Sequence, residues 1–183
     1  IMITIALLLE IKLWMMNRSM VEIYDDFFSE EVQQTILDKL QQPKWCISGG
    51  TDNKPEIFWH YNCLEKEVYF RDFLFDLICK KLNRRFRGVK RIYANGQTAG
   101  QCGTPHRDDG DLTFLYYPLT EWEVKWQGHL IFLDEKDEGD KIIFYKPNRA
   151  VLFDAKQKHY ADAPSRFYND LRISLAYKLI SWN

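Results

Sequence analysis

The second half of this chain constrains its fold most. From about residue 89 onward the apolar residues stop recurring at helical spacing and fall into six short strand-like runs, at 89–94, 112–117, 129–133, 141–145, 150–154 and 171–180. Loops containing Gly, Pro, Asn or Asp separate them, and no long helical pattern intervenes. Strands this short cannot bury an apolar face singly, so they are expected to close on one another as an antiparallel β-sandwich or barrel.

The first half reads differently. Val21 to Tyr24 suggests a short strand. Ser29 is placed as a helix N-cap, with Glu30 and Glu31 in the first turn, where the helix dipole favours acids. Val32, Ile36, Leu37 and Leu40 recur at helical spacing, which predicts a helix over 30–42 that Pro43 ends. Residues 48–55 have loop composition. A second helix is predicted over 67–86, with Phe70, Phe73, Leu74, Leu77, Ile78 and Leu82 on one side. The expected architecture is mainly β, with N-terminal helices packed on a β-sandwich. Neither an internal repeat nor a low-complexity linker interrupts it, so residues 20–183 are expected to form a single domain. Residues 1–19 read as an N-terminal extension of unassigned role. Their apolar run is broken at Glu10, too short for a membrane span, and lacks the basic segment and cleavage site of a signal peptide.

Charge and cysteine usage narrow the function. With 25 basic and 26 acidic residues the formal net charge is -1, which gives no electrostatic reason to expect nucleic acid or an anionic membrane as partner. The basic run Lys80, Lys81, Arg84, Arg85, Arg87, Lys90 and Arg91 reads as the solvated face of a helix and its exit loop. Cys46, Cys63, Cys79 and Cys102 form no CxxC pair, which argues against a zinc or thioredoxin-like motif. Scattered in this way they read as free thiols of a reducing compartment, so a cytoplasmic location is expected.

The chemistry concentrates around His106-Arg107-Asp108. In extended backbone, residues i and i+2 point the same way, so this imidazole and carboxylate can reach one point. Such a pair suits a divalent first-row metal but is weak evidence alone. His159 is the best candidate for a third ligand, since it follows the run at 150–154 and precedes the turn Ala163-Pro164-Ser165. Two histidines and a carboxylate on one face of a metal leave positions open, the arrangement of non-haem Fe(II) oxygenases. Thirteen residues after His159 comes Arg172-Ile173-Ser174, where a guanidinium fork and a hydroxyl share a strand face as a receptor for a carboxylate. Tyr116 and Tyr117 offer phenols to the same anion. A buried arginine beside a metal needs a negative partner, and a dicarboxylic co-substrate that chelates the metal at one end would supply it.

Taken in order, these pieces carry a resemblance. Tyr93-Ala-Asn-Gly-Gln97, His106-Arg-Asp108, Thr113-Phe-Leu-Tyr-Tyr117, Trp122, Gly128-His-Leu130, Pro147 to Phe153, His159 and Arg172-Ile-Ser174 resemble the catalytic domain of prolyl 4-hydroxylase-like Fe(II)/2-oxoglutarate-dependent oxygenases, in small bacterial or phage-type form. They cover about half the chain. The resemblance implies a double-stranded β-helix, or jelly-roll, with its catalytic core at about 89–180. It implies Fe(II) on His106, Asp108 and His159, and 2-oxoglutarate held by Arg172 and Ser174, with Tyr93, Leu115 and Tyr117 contacting it. It also implies O2 as co-substrate, ascorbate as the reductant relatives often use, and a prolyl residue of a peptide or protein as substrate. A free amino acid or small metabolite is the alternative substrate. A non-catalytic metal-binding jelly-roll and a nucleic-acid demethylating oxygenase are the rival readings.

Four further features stay open between bland and functional roles. Where relatives carry a Gly-Gly pair, this chain has Gln127-Gly128, followed by His129, read as structural or exposed. His60 either lines a substrate cleft or packs. Trp45, Trp59, Trp122 and Trp126 either form a peptide groove or fill core and rim. Many relatives place lysine where this chain has Arg172.

Overall fold

A computed structural model describes residues 20–49 and 57–182. The extension at 1–19 and most of the loop expected at 48–55 lie outside the described residues. The described elements are β1 (Val21–Tyr24), α1 (Glu30–Leu40), β2 (Cys46–Gly49), β3 (Ile57–Tyr61), a π-helical turn (Tyr69–Leu74) running into α2 (Phe75–Leu82), and the strands β4 (Gly88–Gln97), β5 (Leu112–Tyr116), β6 (Leu130–Leu133), β7 (Gly139–Ile143), β8 (Ala150–Asp154), β9 (His159–Ala161) and β10 (Arg172–Ile180). Two antiparallel sheets result: a major sheet ordered β1-β8-β5-β10-β4-β3-β2 and a minor sheet ordered β7-β6-β9. This is the jelly-roll arrangement expected, with the helices on the outer face of the major sheet.

The helices follow from their ends. Ser29 caps α1, its side chain accepting from the Val32 N–H, and Glu30 and Glu31 occupy the first turn. Ile36, Leu37 and Leu40 are buried, and Gln33 donates to the carbonyls of Pro118 and Leu119, which ties the helix to the loop after β5. The second helix stops at Asn83 rather than Phe86. Asn83 adopts a left-handed conformation (φ 50°), and the Arg84 N–H returns to the Cys79 carbonyl. The apolar face of this helix also differs from the expected one, because Phe73 is 53% exposed while Phe70, Leu74, Ile78 and Leu82 are buried. Buried residues four apart drift about 40° per step around an α-helix. The π-helical turn takes up part of that drift and leaves Phe73 outside the stripe.

Strand alternation divides the major sheet into two faces. Ile173, Leu175, Tyr177 and Leu179 of β10, Phe114 and Tyr116 of β5, and Ala150 and Leu152 of β8 join the cluster under the helices, together with Phe27, Ile36, Leu64 and Phe70. Each large apolar side chain buried there contributes about 1.5–3 kcal/mol. The opposite face packs inward on the minor sheet, where Val151 and Phe153 meet Leu130, Phe132 and Ile143, with Leu115 against them. On β10 that inward face is Arg172, Ser174, Ala176 and Lys178, all buried. A central strand that carries two cations toward the interior must serve a polar site.

Three strands were not expected. β2 and β3 flank the polar segment that signalled only a loop, and β9 is too short to show alternation. Among the described residues no helix is long and apolar enough to cross a membrane. Cys46, Cys63 and Cys102 are exposed and Cys79 half-buried, each a free thiol.

Candidate metal and co-substrate site

Backbone pairing builds the centre. The segment carrying His106 runs beside β9. The His106 N–H donates to the His159 carbonyl and the His159 N–H donates back to the His106 carbonyl, both at 3.0 Å. The pair sets the two imidazole rings 4.6 Å apart. The Asp108 N–H donates to the Ala155 carbonyl at 2.7 Å, which turns its carboxylate toward the same point. One ligand atom from each of His106, Asp108 and His159 then lies within 4.8 Å of the others, and this is a group that could hold a metal ion.

Each ring is aimed by a hydrogen bond on its far side. His106 Nδ1 lies 2.8 Å from the Thr104 carbonyl and His159 Nδ1 lies 2.8 Å from the Gln157 carbonyl. A carbonyl only accepts, so Nδ1 carries the proton and the Nε2 lone pair faces inward. The two Nε2 atoms are each 3.5 Å from an Asp108 oxygen, His106 from Oδ1 and His159 from Oδ2. His159 is buried with its ring edge on Phe153, and burial pushes its pKa down to about 4 despite Asp108, so it is neutral near pH 7. The His106 side chain is 42% exposed. Burial lowers its pKa, but the bonds to Asp108 and the Thr104 carbonyl outweigh that and leave it raised. Burial likewise opposes ionisation of Asp108, yet His106, Lys178 and His159 together hold the carboxyl well below the usual range. A held carboxylate and two inward Nε2 atoms, that of His159 bare near pH 7 and that of His106 facing Asp108, are a donor set that fits a divalent cation once His106 gives up any proton it shares there.

Arg172 lies further along β10, its guanidinium leaning toward Ser174 (Nη1 to Oγ, 3.5 Å). It is 1% exposed. Nε donates to the Gly128 carbonyl and Nη1 to Gln97 Oε1, each at 2.8 Å. Both partners are neutral, and no ion pair to Arg172 exists among the described residues. Its Nη2 is buried with no hydrogen-bond partner, and so is the hydroxyl of Tyr117. The guanidinium carbon sits 5.5 Å from the Tyr117 ring centroid and 5.1 Å from that of Tyr145. Burial raises the pKa of Tyr117, which keeps its hydroxyl a donor. Two orphaned donors around one uncompensated cation fit a carboxylate guest, the residues that would grip one end of 2-oxoglutarate.

The other expected residues fall as follows. Tyr93 and Leu115 share the inward face, Tyr93 with its ring 5.4 Å from Lys178 Nζ and Leu115 against the inner apolar cluster. Tyr116 turns the other way and donates to Asn148 Oδ1 at 2.9 Å, so it offers nothing to an anion. His129 accepts from the Tyr145 N–H at 3.3 Å and lies against the Phe144 ring, a packing role. His60 is half-buried and its Nδ1 meets Asn95 Oδ1 at 3.0 Å. Trp45 packs edge-on to Tyr61 in the helix-side core, whereas Trp122 and Trp126 form a cluster with Tyr145 and Tyr168 next to Arg172. The Gln127-Gly128 departure is conformational: Gln127 has φ 58° and Gly128 φ 70°. A Cβ on Gly128 would sit 3.0 Å from Arg172 Nε on a backbone at positive φ, so a larger residue would be strained and would press on the guanidinium.

Sequence reading missed Lys178 and Tyr145, and assigned no role to Thr113 and Gln97, which bounded two of the quoted motifs. Lys178 Nζ and Thr113 Oγ1 (2.6 Å) both donate to Asp108 Oδ2. Period-two spacing from Arg172 through Ser174 would have found Lys178. Gln97 closed a quoted motif but carried no signal of its own.

No family model and no curated protein sequence matches the chain. Solved structures do. A prolyl hydroxylase from Trichoplax adhaerens, in complex with a hypoxia-inducible-factor oxygen degradation domain peptide, aligns over 87% of this chain and 82% of its own at 15% identity and TM-score 0.66. The non-haem α-ketoglutarate-dependent epimerase SnoN of nogalamycin biosynthesis aligns over 88% and 79% at 13% identity and TM-score 0.63. HygX from Streptomyces hygroscopicus, with nickel and 2-oxoglutarate bound, aligns over 91% and 85% at 10% identity and TM-score 0.61. The chain therefore has the jelly-roll fold of the 2-oxoglutarate- and Fe(II)-dependent oxygenases.

Proposed function

We propose that this protein is an Fe(II)- and 2-oxoglutarate-dependent dioxygenase that hydroxylates an unactivated C–H bond, with His106, Asp108 and His159 as metal ligands and Arg172, Ser174 and Tyr117 as the anchor of the co-substrate. One observation carries the reading. A buried guanidinium without an acid partner, with an orphaned Nη2 beside an orphaned phenol, projects from the inward face of β10, the face whose Lys178 bonds the Asp108 of a His-Asp-His cluster. A buried cation is costly unless something negative completes it. The dianion that would do so is also a metal chelator.

The chain's own groups have definable tasks. His106 and His159 would present Nε2 and Asp108 its carboxylate to the metal, each aimed beforehand by its own hydrogen bonds. Iron together with 2-oxoglutarate supplies the oxidative chemistry, in which O2 and the co-substrate yield succinate, CO2 and a hydroxylated product. Arg172 and Tyr117 orient the far carboxylate, and Gln97 and the Gly128 carbonyl hold the guanidinium so that Nη2 stays free for it. Tyr145 stacks on Tyr117 beside the guanidinium and Trp122 packs on Tyr145, so aromatic rings wall that end of the site.

For the substrate we favour a prolyl residue of a peptide or protein. Support comes from the ordered motifs above and from the shared fold of a prolyl hydroxylase solved with its peptide. The same fold also serves an epimerase, so a free amino acid or small metabolite is the alternative.

The test is anaerobic titration with Fe(II) and then 2-oxoglutarate, followed by succinate release in air with ascorbate present. A weak visible charge-transfer band that needs both additions and disappears in His159→Ala is the expected result. Absence of the band together with absence of 2-oxoglutarate binding by calorimetry would sink the proposal. Binding without succinate would leave a non-catalytic jelly-roll. Proline-containing peptides, free amino acids and single-stranded nucleic acid, compared as stimulants of succinate release, separate the substrate readings.

A further inference from the structure

Lys178 has no part in that reading, yet it touches the centre. It projects from the inward face of β10, and its side chain is 2% exposed against an Asp108 side chain 3% exposed. Its Nζ donates to Asp108 Oδ2 and lies 3.3 Å from Thr113 Oγ1. Thr113 donates to the same Oδ2 at 2.6 Å. One carboxylate oxygen is therefore taken by two donors, while Oδ1 faces His106 Nε2 at 3.5 Å.

We propose that Lys178 is a charge-setting positioning residue that acts through Asp108: it weakens the hold of the His106–Asp108–His159 cluster on a divalent cation and strengthens the hold of the loaded site on the dianionic co-substrate. The inference rests on the proposed metal and co-substrate reading. Asp108 bonded to an ammonium has less negative charge to offer a metal, and a metal on these ligands sits within a few ångströms of a buried like charge. Both effects lower cation affinity. The same positive charge attracts a dianion that arrives at the metal. When no metal is bound, Lys178 supplies the counter-charge that a buried Asp108 needs, and so holds the carboxylate in place. A merely structural lysine would behave differently, since its loss would loosen the site and weaken both ligands together.

The experiment uses the full chain under anaerobic conditions. Mn(II) affinity, and then 2-oxoglutarate affinity of the Mn(II)-loaded protein, are measured by calorimetry for wild type, Lys178→Met, Lys178→Gln and Lys178→Arg. The neutral variants should bind Mn(II) about tenfold or more tighter and 2-oxoglutarate about tenfold or more weaker. Lys178→Arg, which keeps the charge, should stay near wild type in both. Lys178→Gln keeps an N–H donor for Asp108 and so reads the charge alone if Lys178→Met fails to fold. Two affinities that fall together, or Mn(II) affinity that does not rise, overturn the proposal. Wild type that binds no Mn(II) overturns the metal-site reading itself, a result distinct from either.

Discussion

Replacing Arg172 by leucine should separate ligand binding from stability. The guanidinium is 1% exposed, its partners are the Gly128 carbonyl, Gln97 Oε1 and Ser174 Oγ, and none of them is an acid. Leucine forfeits hydrogen bonds donated by a charged group, worth about 1.5–3 kcal/mol each for the two at 2.8 Å, and strands the Gly128 carbonyl and Gln97 Oε1. It also removes a buried charge whose desolvation costs several kcal/mol. The two largely cancel, so the ligand-free protein should change stability by no more than about 1 kcal/mol in either direction. Binding has no such offset. A carboxylate on Arg172 would gain two charge-assisted hydrogen bonds at about 1.5–3 kcal/mol each, so leucine should cost at least about 3 kcal/mol, a loss of about a hundredfold or more in 2-oxoglutarate affinity. Lysine keeps the charge without the fork and should fall in between. Calorimetry on the Mn(II)-loaded protein gives the affinity, and urea denaturation without ligands gives the stability. If Arg172→Leu binds 2-oxoglutarate within a few-fold of wild type, the orphaned Nη2 is not a carboxylate receptor. If it loses more than about 4 kcal/mol of stability, the arginine holds the fold and the argument from its missing partner is wrong.

Other substitutions test single contacts. His106→Ala should abolish tight Mn(II) binding in calorimetry while the fold persists by circular dichroism. Thr113→Val removes a charge-assisted donor from Asp108 Oδ2 and should cost about 1.5 kcal/mol or more in metal-free urea denaturation. Gln127→Gly relieves a non-glycine residue held at φ 58°, ψ -131°, and should stabilise by about 1 kcal/mol, read as a higher melting temperature. The Arg149 fork, aided by Lys146 and opposed by burial, lowers the pKa of Asp25 to about 2. That contribution is complete above the ordinary carboxylate value and is lost as pH falls from about 4 to about 2. With 39% of the Asp25 side chain exposed, solvent screening holds it below about 1 kcal/mol, and Asp25→Asn should flatten the acid limb of a stability–pH profile by that amount.

The sequence made the fold legible where alternation was long enough to count. β5, β8 and β10 fell within a residue of their expected bounds because β8 is apolar from Ala150 to Phe153, β5 carries Phe114 to Tyr116, and β10 sets Ile173, Leu175, Tyr177 and Leu179 at period two. β9 has three residues, and no alternation can be read in three. β2 and β3 were hidden by the Gly, Asn and Pro between them, although Ile57 to Tyr61 is aromatic and β-branched. The three candidate ligands and Arg172 stood out because their spacing is local or their order distinctive. Tyr145 did not, and Gly128 showed only as half of a departure from the family pattern, because their roles exist only once β10 brings Arg172 against them. The same is true of the Lys178–Asp108 contact, which joins residues 70 apart in sequence.

A π-helical turn is an α-helix that has swallowed one residue. In this chain the surplus falls at Tyr69–Leu74, and the Phe70 carbonyl there receives the hydroxyl of Tyr177, which stands between Ala176 and Lys178 on β10. Because the wide turn absorbs the extra length locally, α2 and the strand beneath it keep their register. A substitution at exposed Phe73 would thus change only the outer wall of the molecule, while buried Phe70 and Leu74 and the strand they pack on stayed where they are.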